Sequence, residues 1–205
     1  MIDIKSFKVG RLKTNCYLIL DLENFSGVMI DPGGEIKNFE KIISSFKIEY
    51  ILLTHGHFDH ILNVKKYKNL TGAKIVMPEK EKLFSVDSNL NLSSRFLKSN
   101  LLESFIPDIL VKEGDFIDFG EEKIKVIETP GHTQGSVCYI FKNNIFSGDT
   151  LFFKTIGSTN FPTGNDEDME KSLRKLYSLE GDYVVYPGHS KMTLLKNEIE
   201  NHTGF

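Results

Sequence analysis

Three histidines and an aspartate stand within six residues, in Thr54-His55-Gly56-His57-Phe58-Asp59-His60. The run begins where an apolar strand-like stretch, residues 50–53, ends. In an extended chain, residues i and i+2 point the same way, so His55 and His57 can grip one ion. Gly56 between them carries no side chain and lets the backbone turn. Asp59 and His60 then project from the next bend toward a second position. Imidazole and carboxylate together are borderline-soft ligands that suit zinc, iron or manganese. Asp59 has a second reading, as cap of the following helix.

Three further strand ends present groups of the same kind. Residues 124–127 run into Glu128-Thr129-Pro130-Gly131-His132, residues 183–186 into Pro187-Gly188-His189, and residues 144–147 into Gly148-Asp149. Each alone reads as an ordinary turn residue. Gathered at the ends of strands over one packed core, they read as a site. Asp31, in the turn Asp31-Pro32-Gly33-Gly34, is open to two readings: it orients a ligand histidine, or it forms a turn with its own backbone.

The elements that must position these groups follow from periodicity. Residues 2–9, 16–20, 27–30, 50–53 and 74–77 read as strands in the first half. Residues 115–118, 124–127, 137–141, 144–147 and 183–186 do so in the second. Lys142-Asn143-Asn144 supplies a hairpin turn. The spacing predicts helices over 36–46, 60–68, 166–179 and 194–201. The 166–179 helix is capped by Asn165 or Asp166 and lined by Met169, Leu173, Leu176 and Leu179. Residues 79–106 carry a mixed, mostly helical signal and could form a mobile cover. Strands followed by a helix, twice over, predict an α/β protein: an αββα sandwich of two sheets with helices outside, in a single domain over 1–205.

Composition narrows the function. The 205 residues are 40% hydrophobic and 26% charged, with a net charge of −3, so no basic field invites nucleic acid. No apolar run approaches membrane-spanning length, and the N-terminal residues lack a signal-peptide pattern. The two cysteines, Cys16 and Cys138, lie in apolar runs and read as buried free thiols. A cytoplasmic protein acting on a small molecule, with no nucleic-acid or membrane partner, is expected. The oligomeric state is not written in the composition.

At this point the motifs resemble the metallo-β-lactamase superfamily, and within it the glyoxalase II-like (hydroxyacylglutathione hydrolase-like) hydrolases. Thr54–His60 matches T-H-x-H-x-D-H. Thr129–Ser136 is similar to T-P-G-H-T-x-G-S, Ser147–Phe152 to S/A-G-D-T-L-F, and Pro187-Gly188-His189 to the final P-G-H. The resemblance implies the αββα sandwich and two divalent metals, zinc foremost, with iron or manganese as alternatives. It implies a first metal on His55, His57 and His132, a second on Asp59, His60 and His189, and Asp149 bridging both. It also implies a thioester such as a hydroxyacylglutathione as substrate, attack by a metal-bridging hydroxide, and Asp59 as the group that orients the nucleophile and relays its proton. Lactone or β-lactam hydrolysis at the same site, and a mononuclear iron persulfide dioxygenase, are the other activities the resemblance leaves open. Residues 148–165 resemble the short bacterial type, with Ser158, Asn160 and Asn165 where that pattern has Arg, Asp and Asp. A lost ion pair or a changed substrate contact is expected there.

Overall fold

A computed structural model describes residues 1–97 and 102–201. Six strands form the first sheet: β1 (Ile2–Val9), β2 (Thr14–Asp21), β3 (Ser26–Ile30), β4 (Lys47–Leu52), β5 (Lys74–Pro78) and β6 (Ile109–Val111), side by side in that order. The pairings β1–β2–β3 are antiparallel and β3–β4–β5–β6 parallel. The parallel crossovers carry the helices α1 (Phe39–Ile43), α2 (Phe58–Ile61), α3 (Val64–Thr71) and α4 (Ser93–Phe96), and a 3-10 turn over Glu79–Ser85.

The second sheet is built from β7 (Phe116–Phe119), β8 (Glu122–Glu128), β9 (Val137–Phe141), β10 (Asn144–Gly148), β13 (Val184–Pro187) and β14 (Thr193–Leu194), in the order β14-β13-β10-β9-β8-β7. It too is mixed, parallel only between β10 and β13. Between these two strands the chain makes the small hairpin β11 (Leu151–Phe152) and β12 (Thr155–Ile156), then α5 (Asp166–Tyr177); α6 (Leu195–Asn201) follows β14.

Strand alternation sorts side chains into three cores. In β2, Tyr17 and Ile19 face the other sheet while Cys16, Leu18 and Leu20 face the helices of their own layer. The inter-sheet core joins Tyr17, Ile19, Val28, Ile30 and Leu52 to Ile124, Val126, Tyr139, Phe141 and Phe146. Outside the second sheet, Met169, Leu173 and Leu176 of α5 and Leu195 of α6 cover Cys138, Ile145 and Val185. Leu18, Leu20 and Leu176 are fully buried, each worth about 1.5–3 kcal/mol over an exposed position. The αββα architecture of two mixed sheets is therefore the observed one. Cys16 and Cys138 are both buried and free, in separate outer cores.

Several elements differ from their sequence reading. The helix expected over 36–46 shrinks to Phe39–Ile43. Asn38 stands in the left-handed region at φ 59°, and Ile36 N donates to Tyr67 Oη instead of a helical carbonyl. At the other end, Lys47 N donates to Phe25 O and starts β4 three residues ahead of the expected Tyr50. The helix expected over 60–68 is two helices, α2 and α3, parted at Leu62-Asn63, where Asn63 N donates to Pro32 O. Short strands β6, β11, β12 and β14 lacked enough alternating residues to be read. Residues 79–97 hold only the 3-10 turn and one short helix; residues 98–101 of that segment lie outside the described residues. Asn165 is the cap of α5, its Oδ1 accepting from Asp168 N at 3.0 Å.

Candidate metal centre

All seven residues of the expected ligand set gather at one edge of the sandwich, past the ends of β4, β8, β10 and β13. Three overlapping groups have ligand atoms within 4.8 Å of one another: His55 with His57 and His132; His55 with His60 and Asp149; Asp59 with His60 and His189. Asp149 lies between the outer two, with Oδ1 3.3 Å from His60 Nε2 and Oδ2 3.5 Å from His132 Nε2 and 3.6 Å from His189 Nε2. Asp59 and His60 project from the first turn of α2 rather than from a bend, and Asp59 does not cap that helix.

The backbone at the strand ends makes this convergence possible. Tyr139 Oη donates to Leu53 O at 2.8 Å, and Val137 N donates to Thr54 O, so the second sheet grips the loop leaving β4. From the first sheet, Asn15 Nδ2 and Tyr17 Oη donate to Pro187 O at 2.8 and 2.6 Å, while Asn15 N donates to Gly188 O. Close approach requires glycine at several positions, Gly188 and Gly56 among them. A Cβ at Gly188 would stand 2.2 Å from Asp149 Oδ1, and one at Gly56 would stand 2.2 Å from Phe84 Cβ.

A second ring of groups aims the imidazoles. Asp31 Oδ1 accepts from Thr54 N at 2.8 Å, while its Oδ2 accepts from Thr54 Oγ1 at 2.6 Å and from His60 Nδ1 at 2.9 Å. Of the two readings open for Asp31, the orienting one matches this geometry. His132 donates Nδ1–H to Ser158 O at 2.6 Å, leaving Nε2 as a lone pair facing His57 Nδ1 at 2.9 Å. Thr14 Oγ1 donates to Asp59 Oδ2 at 2.7 Å.

Whether cations fit is answered by the orphaned atoms. His55 Nε2, His57 Nε2, His60 Nε2 and Asp149 Oδ1 are buried without a hydrogen-bond partner. Buried polar atoms are costly when left unpaired; several of them, all imidazole or carboxylate and all at one place, form a donor set suited to divalent cations. Burial, reinforced by neighbouring imidazoles, holds His55 well below the ordinary histidine range and His57 down at about 3. Burial likewise lowers His132. Rings held neutral are rings ready to ligate. At His60 burial is outweighed by Asp149, Asp59 and Asp31, which raise it well above the usual value. Burial of Asp59 and Asp149 is likewise outweighed by His60, with His189 adding, so both carboxyls are lowered.

Other residues of the site carried no signal in the sequence. Thr14, Asn15 and Tyr17 lie in a strand far from any motif. Glu81 stands inside the charged run Glu79-Lys80-Glu81-Lys82, yet it is fully buried and accepts from Gly56 N and Gly135 N, each at 2.9 Å. Burial pushes its carboxyl up to about 7. Phe161 stands edge-on to His57 and His132, with centroids 5.5 and 5.8 Å away, and Phe152 edge-on to His189 at 5.9 Å. These aromatics border the site on two sides. Among the five histidines of this site, His189 is the most open, its side chain 27% exposed.

Two mixed sheets, helices on both outer faces and a His/Asp cluster at the edge between them define a class of metal-site αββα proteins. The chain belongs to the metallo-beta-lactamase superfamily, whose family model matches residues 9–189. It is 33% identical to the hydroxyacylglutathione hydrolase GloC of Haemophilus influenzae, over 96% of this chain and 94% of that protein. Among solved structures it resembles the BLEG-1 B3 metallo-beta-lactamase, with 30% identity, 97% of both chains covered and a TM-score of 0.88. It also resembles TTHA1623 in a di-iron-bound form, with 27% identity, 96% of this chain and 98% of that one covered, and a TM-score of 0.83. No helix among the described residues is long and apolar enough to cross a membrane.

Proposed function

We propose that this protein is a metal-dependent thioester hydrolase acting on a small hydroxyacyl thioester of the glutathione kind. His55, His57 and His132 would hold one divalent cation, Asp59, His60 and His189 the other, with Asp149 shared. The observation that carries this reading is the cluster of orphaned buried nitrogens and a carboxylate oxygen where these loops meet. Zinc suits the nitrogen-rich donor set; the di-iron form of TTHA1623 makes iron the alternative.

The cations, when bound, polarise the acyl carbonyl and lower the pKa of a coordinated water toward ~7. The chain's own residues do the rest. Asp59, steadied by the Thr14 hydroxyl, orients the attacking water and takes its proton. Phe161 and Phe152 wall the acyl group on two sides and reduce the water around it. Lys154 and Lys191, which have no carboxylate partner among the described residues, both stand over the Phe153 ring, with Nζ 5.4 and 3.9 Å from its centroid, Lys191 two residues past His189 in the chain. They suit the anionic arm of a glutathione thioester. Residues 1–205 act as one domain on this reading, supported by the core that the two sheets share. The buried free thiols suit a reducing cytoplasm.

The likeness to BLEG-1 favours β-lactam hydrolysis as a second reading. Metal analysis of the purified protein and kinetics on S-lactoylglutathione, a lactone and a β-lactam separate the two. About two metals per chain and preference for the thioester are expected, with His57→Ala or Asp59→Ala reducing turnover to background while the fold persists. Unchanged thioesterase activity in both variants would overturn the assignment.

A further inference from the structure

We infer that Glu81 is a positioning residue for the cation assigned to His55, His57 and His132, its single carboxylate tying together the two loops that carry those imidazoles. The inference rests on the metal reading above and concerns only how that pair of loops is held.

Glu81 sits in the 3-10 turn after β5, between Lys80 and Lys82, which are both exposed, yet its own side chain is fully buried. Its Oε2 accepts from Gly56 N, the amide between His55 and His57, and its Oε1 from Gly135 N, three residues beyond His132. Both partners are glycines for a reason of space. A Cβ at Gly135 would stand 2.8 Å from Glu81 Oε1, and one at Gly56 would collide with Phe84 of the same turn. Gln134 Nε2 adds a bond to Lys80 O at 2.9 Å, so the turn braces the His132 loop twice.

The second cation position has different supports. His60 leans on Asp31, Asp59 on Thr14, and the His189 turn on Asn15 and Tyr17. None of these involves Glu81. Loss of the Glu81 carboxylate therefore loosens one cation position and leaves the other braced. A carboxylate meets two opposed N–H donors with two acceptors. Glutamine would turn its own donor against one of them, and aspartate is too short to span both. A residue needed only for packing would show no such division between the two ions.

The test compares wild type with Glu81→Gln. Zinc content by elemental analysis and zinc affinity by chelator competition are measured, with circular dichroism and metal-free thermal unfolding as fold controls. Expected in E81Q is a fall from about two ions to about one under competition, with one ion weakened ~10–100-fold, as is usual when an outer support of a ligand is lost. Adding His189→Ala should then remove the remaining ion. Should E81Q not fold, Glu81→Asp is expected to show the same one-ion loss. Two ions bound as tightly as in wild type, equal weakening of both, or failure of both variants to fold would overturn the inference. A wild-type protein that binds no pair of cations would instead overturn the metal reading beneath it.

Discussion

Asp31 Oδ2 stands 2.9 Å from His60 Nδ1, both side chains almost fully buried, and the same carboxylate takes the Thr54 amide. One acid from the end of β3 thus aims an imidazole and fastens the loop that carries two others. Asp31→Asn keeps the shape but offers a donor where the carboxylate offered only acceptors. Zinc affinity at the position served by His60 is expected to fall ~10–100-fold, read by competition with a chromophoric chelator. Equal affinity in D31N would show that His60 needs no such partner.

The buried rings set an acid limit on the metal-free protein. His57 is held at about 3, below the ordinary histidine value of 6.5, chiefly by burial. Below 6.5 the unfolded chain takes up a proton that the folded ring refuses. The contribution is complete above pH 6.5 and is lost as pH falls toward 3, by on the order of 1.4 kcal/mol per pH unit. Urea titrations of the apo protein at pH 7, 6, 5 and 4 should show this slope, and His57→Gln should flatten it by about one proton.

Gly56 and Phe84 are coupled by contact. A methyl on Gly56 would lie 2.2 Å from Phe84 Cβ, so Gly56→Ala should destabilise by about 1–3 kcal/mol through overpacking. Phe84→Gly removes a buried ring and is costly by itself. The double variant should lose less than the sum of the singles, by at least ~0.5 kcal/mol. Additive losses in denaturant unfolding would argue that the loop moves aside freely.

Lys154 and Lys191 supply the charge test of substrate choice. Replacing both by alanine should raise KM for S-lactoylglutathione about threefold to tenfold at low salt. Raising ionic strength to 0.5 M should erase most of the difference, as screening of exposed charges requires. An equal rise in KM for an uncharged acyl thioester would point to lost packing around Phe153 instead of charge recognition.

Part of this molecule was legible from local pattern. The apolar runs of β2 and β4, the alternation of β8, and the Pro-Gly or Gly-Asp turns that end β8, β10 and β13 identified the two-sheet frame and the edge where the site lies. Helix limits were less legible. The 36–46 helix is cut short where Ile36 bonds to Tyr67, outside that pattern, and the 60–68 helix is parted where Asn63 bonds to Pro32, outside that one.

The sequence by itself determined which groups could do chemistry, because ligand type, the i and i+2 spacing of His55 and His57, and the glycines beside them are properties of neighbouring residues. Only the tertiary structure decided what holds those groups in place. Glu81 reaches Gly135 across 54 residues and Asn15 reaches Pro187 across 172. A hydrogen bond between segments so distant leaves no local periodicity. It exists because two sheets, each fixed by its own apolar faces, close on a shared core and bring their loop ends to the same edge.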